Sequence, residues 1–277
     1  MTRSACGRCD ERVGEPRSDS EWGWGPASAK NVAVLALVAG VLLGQTVAAA
    51  EITVLSAGAV EPGLRAAAAA FEKQTGHVVK ISFANAPQVR ARVAGGEMCD
   101  VVIVPPAILD ELAQAGKVEK ERVTLGRVGM GVAVRAGAPT PDISTEESLK
   151  RSVLAADTVL FTRGSSGVYF ESLLKKMGVY EQVEGRITRY DDGASVFERV
   201  LKGKGNEVSF GQMTEIRLHR DEGLRLVGPL PAPVQNYTTY AGAAMMARSN
   251  AETARAFVRH LASPAGKALF AAAGIEP

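Results

Sequence analysis

From residue 51 to the C-terminus, short apolar runs alternate with longer amphipathic ones. The short runs, 52–56, 78–83, 100–104, 128–135, 158–161, 207–210 and 237–246, are mostly apolar and read as strands. The amphipathic runs, 62–75, 87–94, 108–115, 145–155, 166–177, 194–201, 251–263 and 265–273, read as helices. Strands alternating with helices of this length predict α/β units with mainly parallel sheets. The punctuation agrees with these boundaries. Pro62 suits a first helical turn, where its missing N–H goes unneeded. Gly76 stops that helix, and Thr145-Glu-Glu-Ser148 opens another with a threonine cap and an acidic first turn. Two breaks rich in proline, 137–144 and 228–234, each lie beside a long apolar strand and suggest two crossovers between lobes. The expected fold is therefore α/β in two lobes, each a mainly parallel sheet flanked by helices, joined by two crossover strands. Lobe I takes residues 51–131 and 237–277, and lobe II takes 132–236.

The run VAVLALVAGVLL (32–43) stands behind Lys30 and is followed by Gln45-Thr46 and Ala48-Ala49-Ala50. An apolar core of this length ending in small residues reads as a secretory signal peptide, with cleavage after Ala50 and a leader of 1–50. The mature chain is then expected in the periplasm. An uncleaved anchor needs about 20 apolar residues, which this segment approaches only if Gln45, Thr46 and the alanines are counted. Beyond the leader Cys99 is the only cysteine, so no internal disulfide can form and the fold must be held by its core. The net charge is +2 at pH 7, with no basic block and no aromatic–basic interleaving, so no nucleic-acid partner is expected. His77, His219 and His260 lack metal-ligand spacing and read as surface or capping residues. There is no G-x-S-x-G elbow and no phosphate-binding Walker loop. Asp191-Asp192 precedes a helix and reads as a cap. No catalytic residue, metal or cofactor is expected.

The informative loops follow strands and precede helices: Ser56-Ala-Gly-Ala-Val60, Ala84-Asn-Ala-Pro-Gln88, Arg163-Gly-Ser-Ser-Gly167, Asp191-Asp-Gly-Ala-Ser195 and Phe210-Gly-Gln212. Small residues there let backbone N–H groups face outward, and a helix N-terminus adds unpaired donors and partial positive charge. Taken singly, such loops are ordinary caps and turns. Five together suggest an anion site at the carboxyl edges of two sheets. Ser56, Gly58, Ala59, Asn85, Gln88, Ser165, Ser166, Gly193, Ser195, Phe210 and Gln212 are the candidate contacts. Arg163 is either a bidentate partner for a carboxylate or a solvated surface arginine.

These residues resemble a known family. From Ile52 to the C-terminus the chain is similar to the molybdate-type periplasmic binding proteins of ABC importers, within the type II solute-binding fold. The resemblance runs through Val54-Leu-Ser-Ala-Gly-Ala-Val-Glu-Pro-Gly-Leu64, Asp100-Val-Val-Ile-Val104, Gly131-Val-Ala-Val-Arg-Ala-Gly-Ala-Pro139 and Pro141-Asp-Ile-Ser-Thr145. It continues in Gly164-Ser-Ser-Gly-Val-Tyr169, Glu207-Val-Ser-Phe-Gly-Gln212 and Val227-Gly-Pro-Leu-Pro231. It implies a monomer that closes over a small anion and delivers it to an ABC permease and ATPase complex. Such proteins hold molybdate with serine hydroxyls and backbone N–H groups. Here the first-loop serine falls at about Ala59, and the second-loop serines fall on Asn85, Ala86 and Pro87, the last without an N–H. The lobe II contacts fall near Ser166 and Gly193, and Phe210 or Gln212 stands near a ligand-touching tyrosine. A molybdate- or tungstate-like oxyanion is thus the first expected ligand, and a small organic carboxylate the close alternative. An exported enzyme on the same scaffold and a membrane-anchored sensor are the readings from other classes.

Overall fold

The computed structural model describes residues 49–277. The expected leader falls almost wholly on 1–48, outside the described residues. Among the described residues no helix is long and apolar enough to cross a membrane.

Among the described residues nine strands form one hydrogen-bonded sheet: β1 (Glu51–Ala57), β2 (Val78–Ala84), β3 (Val101–Val104), β4 (Val123–Arg135), β5 (Thr158–Thr162), β6 (Ile187–Tyr190), β7 (Glu207–Gln212), β8 (Leu224–Pro229) and β9 (Tyr237–Ala244). The order is β2-β1-β3-β9-β4-β7-β5-β6, with β8 also paired to β4. In the first half β2, β1 and β3 run parallel and β9 closes the group antiparallel. In the second half β6, β5 and β7 run parallel, and β7 and β8 both pair antiparallel with β4. Helices α1 (Glu61–Thr75), α2 (Ala86–Ala94) and α3 (Pro106–Gln114) accompany the first half, as do α9 (Ala251–Ala262) and α10 (Pro264–Ala272). The second half carries α4 (Glu146–Ala155), α5 (Ser165–Lys176), α6 (Tyr180–Val183), α7 (Gly193–Lys202) and α8 (Met213–Leu218).

The apolar residues follow the same division into two lobes. One cluster joins Ile52, Leu55, Leu64, Phe71, Ile103 and Phe257, and extends from 52–128 to 240–275. A second, drawn from 130–234, is built on Phe161, Phe170 and Phe210, with Phe170 stacked on Phe210 at 3.8 Å between ring centroids. A third, smaller cluster covers the other face of the second sheet with Leu160, Val196, Phe197 and Val200. Burying side chains of this size contributes about 1.5–3 kcal/mol each, the main source of stability here, since among the described residues the cysteine Cys99 is buried and unpaired.

Strand β4 belongs to both halves. Its residues 123–129 pair with β9, and 130–135 pair with β7 and β8. The return crossing lies at 230–236. There the Gln235 side chain clasps Met130, accepting from its N–H at 3.1 Å and donating to its carbonyl at 3.0 Å. The first crossing therefore lies inside a strand, and the proline-rich segment 137–144 is a loop beyond it, before α4.

Several elements differ from the sequence expectation. β4 starts at Val123, not 128, because Gly126 is a bulge, with φ of 142° and a register shift beside it, and does not break the strand. β6 and β8 are not visible in the sequence because ITRY and LRLVGP are short and mostly half-buried, without clean alternation. α8 spans six residues, too short to show a helical period.

The start of α5 is packed tightly on the end of β5. A Cβ on Gly167 would lie well inside contact of the Thr162 carbonyl oxygen and 3.1 Å from the Phe161 ring. Gly167→Ala is expected to lower stability by about 1–3 kcal/mol through overpacking. Urea unfolding measures this, and a midpoint equal to that of the parent would show that the approach is not tight.

Candidate anion-binding cleft

Five strand-to-helix turns surround one cavity of about 310 Å³, at the lower end of the usual range for small-molecule sites. β1 ends in Ala57, and Gly58 and Ala59 follow in a single 3-10 turn leading to α1. β2 ends in Ala84, followed by Asn85 and Ala86. β5 ends in Thr162, followed by Gly164, Ser165 and Ser166, and Asp192, Gly193 and Ala194 follow β6. Gln212 at the end of β7 and Glu215, Leu218 and His219 beyond it complete this side, and Tyr240 enters from β9. The strands β1, β2, β5, β6 and β7 all point their carboxyl ends at the cavity, so each following helix presents its N-terminal donors to it.

The helix starts are not equivalent. Asn85 closes a capping box on α2: its Oδ1 accepts from Gln88 N at 2.8 Å, and Gln88 Oε1 accepts from Asn85 N. Asp192 caps α7, accepting from Ser195 N at 2.7 Å and from its hydroxyl at 2.9 Å. By contrast α5 begins after Gly164 and α1 after Val60, with no side-chain cap. The first N–H groups of α5, and those of the 3-10 turn Gly58–Val60 ahead of α1, lack a capping side chain and are the natural donors to an anion, whereas in α1 itself the Glu61 N–H is bonded to the Gly58 carbonyl and Pro62 has none. Two contacts tie the walls together. Asn85 Nδ2 donates to the Asp191 carbonyl, and Thr214 Oγ1 donates to the Ala59 carbonyl at 2.6 Å.

Glu215 is the exceptional side chain. It lies in the first turn of α8, is only partly accessible and lines the cavity. A Cβ on Gly58 would lie 2.5 Å from its Oε1, and one on Gly193 would lie 3.6 Å from its Oε2. The carboxyl thus sits beside two helix starts from distant parts of the chain. Among the described residues no hydrogen bond or ion pair involves it. Burial pushes its pKa up from 4.5 to about 7, and the Glu61 and Asp192 charges push the same way. Near a helix N-terminus the dipole favours the ionised form, yet desolvation outweighs it here. Tyr240 is 4% exposed, and burial followed by the Glu215 charge raises its phenol well above the ordinary 10, so it stays protonated. Gln212 is 3% exposed; its Nε2 donates to Thr238 Oγ1 at 3.1 Å, and its Oε1 has no partner among the described residues.

Of the candidate contacts, Gly58, Ala59, Asn85, Ser165, Ser166, Gly193 and Gln212 all line the cavity. The other five do not. Ser56 is fully buried, its hydroxyl donating to the Ala57 carbonyl, and Phe210 is stacked in the core on Phe170. Gln88 and Ser195 are occupied in caps. Arg163 is exposed and paired with Asp191 at 3.0 Å. Glu61 also lines the cavity while paired with Arg65 at 2.7 Å. His219 also lines it, with Nδ1 3.0 Å from Glu222 Oε1 and its ring tilted against Phe197. Glu215, Tyr240, Phe83, Thr162 and Phe197 were not singled out from the sequence. The segment TEIRLHRDE (214–222) reads as a solvent-facing charged run, and only contacts from distant loops enclose its second residue. No group of three or more His, Cys, Asp or Glu among the described residues is placed to hold a metal ion.

Two α/β halves share strand β4, with a ligand-sized cavity at their facing edges. Residues 52–276 match the model of the bacterial extracellular solute-binding protein family, and the chain belongs to that family. Solved structures of similar fold include the periplasmic molybdate-binding protein of Azotobacter vinelandii, 18% identical with a TM-score of 0.67, covering 82% of this chain and 99% of that one. The sulfate-binding protein SubI of Mycobacterium tuberculosis is 19% identical with a TM-score of 0.67, covering 82% and 87%. An aconitate isomerase of a Pseudomonas species is 32% identical over 234 residues, 82% of this chain and 87% of that protein.

The raised pKa of Glu215 sets the sign of a pH effect. Between about 4.5 and about 7 the folded protein keeps a proton that the unfolded chain has released. This contribution to stability therefore falls as pH rises through that window. Glu215→Gln should remove it, making the variant more stable than the parent above pH 7 by on the order of 2–3 kcal/mol, with the gap shrinking toward pH 4.5. Urea unfolding at pH 5 and pH 8 measures the difference, and a gap that does not change with pH would show that Glu215 does not titrate in this window.

Proposed function

We propose that this protein is a periplasmic solute-binding protein whose cleft closes over a small organic polycarboxylate. In this reading lobe I is 51–131 with 237–277, lobe II is 132–236, and the loaded protein delivers its ligand to an ABC permease and ATPase complex. The observation that carries it is the mixed character of the cavity wall. Uncapped helix starts at Ser165 and at the turn before α1 suit carboxylate oxygens. Beside them Ala57, Ala59, Phe83, Ala84, Phe197 and Leu218 supply apolar surface. A tetrahedral oxyanion has no carbon skeleton to lay on that surface, and it would fill only a small part of the volume. The donors expected for molybdate are also reduced, with Ala59 and Pro87 where serines would stand. The similarity to an aconitate isomerase supports the same ligand class, since aconitate is a small unsaturated tricarboxylate.

Among the described residues no Lys or Arg lines the cavity. Binding would rest on N–H and hydroxyl donors in a site whose closure excludes water and strengthens each of them. Lobe closure links affinity to conformation, because only the closed form brings all five turns together.

A thermal-shift series tests the ligand class. cis-Aconitate, trans-aconitate, citrate and the saturated tricarballylate should raise the melting midpoint with concentration, as ligands of the folded state do. Molybdate, tungstate and sulfate should leave it nearly unmoved. Shifts with the oxyanions and none with the carboxylates would replace the carboxylate reading with an oxyanion one.

A further inference from the structure

Resting on the reading that a polycarboxylate occupies the cleft, we propose that Glu215 meets this ligand as a neutral carboxylic acid and donates its hydroxyl to a ligand carboxylate. The cleft then takes up one proton together with its ligand. That proton comes from water or buffer and stays on Glu215, and no covalent bond of the ligand changes. The ligand is held tightly at and below neutral pH and released as the pH rises.

The geometry puts the carboxyl where such a contact forms. Thr214 Oγ1 donates to the Ala59 carbonyl at 2.6 Å and ties the start of α8 to the 3-10 turn after β1. The next residue, Glu215, lies against that turn, since a Cβ on Gly58 would come within 2.5 Å of its Oε1. The uncapped N–H groups of the same turn suit a carboxylate, which would then lie beside the Glu215 carboxyl. The other two carboxylates of the cavity are engaged, Asp192 as the cap of α7 and Glu61 with Arg65. Glu215 has no hydrogen bond or ion pair among the described residues. Ionised, it would repel an anion in a cavity where none of the described lining residues is Lys or Arg. Neutral, it adds a charge-assisted donor.

The groups around Glu215 favour its neutral form. Glu61 from α1 and Asp192 at the start of α7 are negative, and Tyr240 from β9 is a neutral phenol. The cations of the elements packed against α8 are turned elsewhere. Arg65 pairs with Glu61 and Arg127 of β4 with Glu276, while Arg135 of β4 and Arg225 of β8 donate to the carbonyls of Ala136 and Ala138. Glu207 of β7 faces Arg199, and Glu72 and Lys73 lie at the far end of α1. On α8 itself Arg217 is exposed and lies toward Gly274; His219 contacts Glu222, and residues 220–222 are exposed. Burial first, and then the Glu61 and Asp192 charges, raises the carboxyl to about 7, so both forms are populated at neutral pH. An arriving anion shifts that balance to the protonated form.

Calorimetry of the full-length protein with tricarballylate, whose own carboxyls are ionised above neutral pH, tests this. Between pH 7 and pH 8.5 the affinity of the parent should fall about 15-fold, as one-proton linkage to a group titrating near 7 requires. At pH 8.5, buffers of unequal ionisation enthalpy should report close to one proton taken up per ligand bound. Glu215→Gln keeps a donor and carries no charge. It should bind at pH 8.5 within about 3-fold of its own affinity at pH 7, with no proton uptake. A cooperative urea transition shows that the variant is folded, and the parent's proton count decides the inference should it not be. A parent that binds equally at both pH values without taking up a proton would overturn the inference and leave the binding reading standing. A parent that binds no polycarboxylate at either pH would overturn that reading and this inference with it. Unchanged pH dependence in a folded Glu215→Gln variant would assign the proton to another group and remove Glu215.

Discussion

The architecture depends on one strand being shared. Because β4 pairs with β9 along its first half and with β7 and β8 along its second, the two sheets are parts of one hydrogen-bonded path. The clasp of Gln235 on Met130 fixes the return crossing against the same point on β4. With both crossings held there, the carboxyl edges of β1 and β2 face those of β5, β6 and β7. Helix starts that would otherwise be five separate caps become one concave set of donors. The site is therefore a consequence of how the halves are joined and does not reside in any single loop.

Charge in this concavity is managed without side-chain cations among the described residues. The positive potential comes from N-terminal N–H groups, which are fixed in place and need no reorganisation when an anion arrives. Carboxylates enter only where they do local work, as Asp192 does at α7. Glu215 breaks that pattern, and its environment responds as electrostatics requires: burial and two neighbouring negative charges make its ionised form unfavourable and hold the proton to a higher pH. The same burial that keeps Tyr240 protonated thus leaves a carboxyl poised between its two states.

Much of the fold and part of the site are legible in the sequence, for identifiable reasons. The long helices and the apolar strands β1, β3 and β5 show their periods, and Pro62, Gly76 and Thr145 mark their ends as expected. The five turns are visible because small residues follow apolar runs. What cannot be read is which way a side chain turns once its local bonding is settled. Gln88 and Ser195 stand in the right turns but are drawn into caps, and Arg163 turns to Asp191. Phe210 belongs to a strand buried along its whole length, so its ring enters the core and does not reach the cavity. Glu215 is hidden for the opposite reason. It sits in a six-residue helix inside a charged run, and its burial arises from Gly58 and Gly193, which lie far from it in the chain.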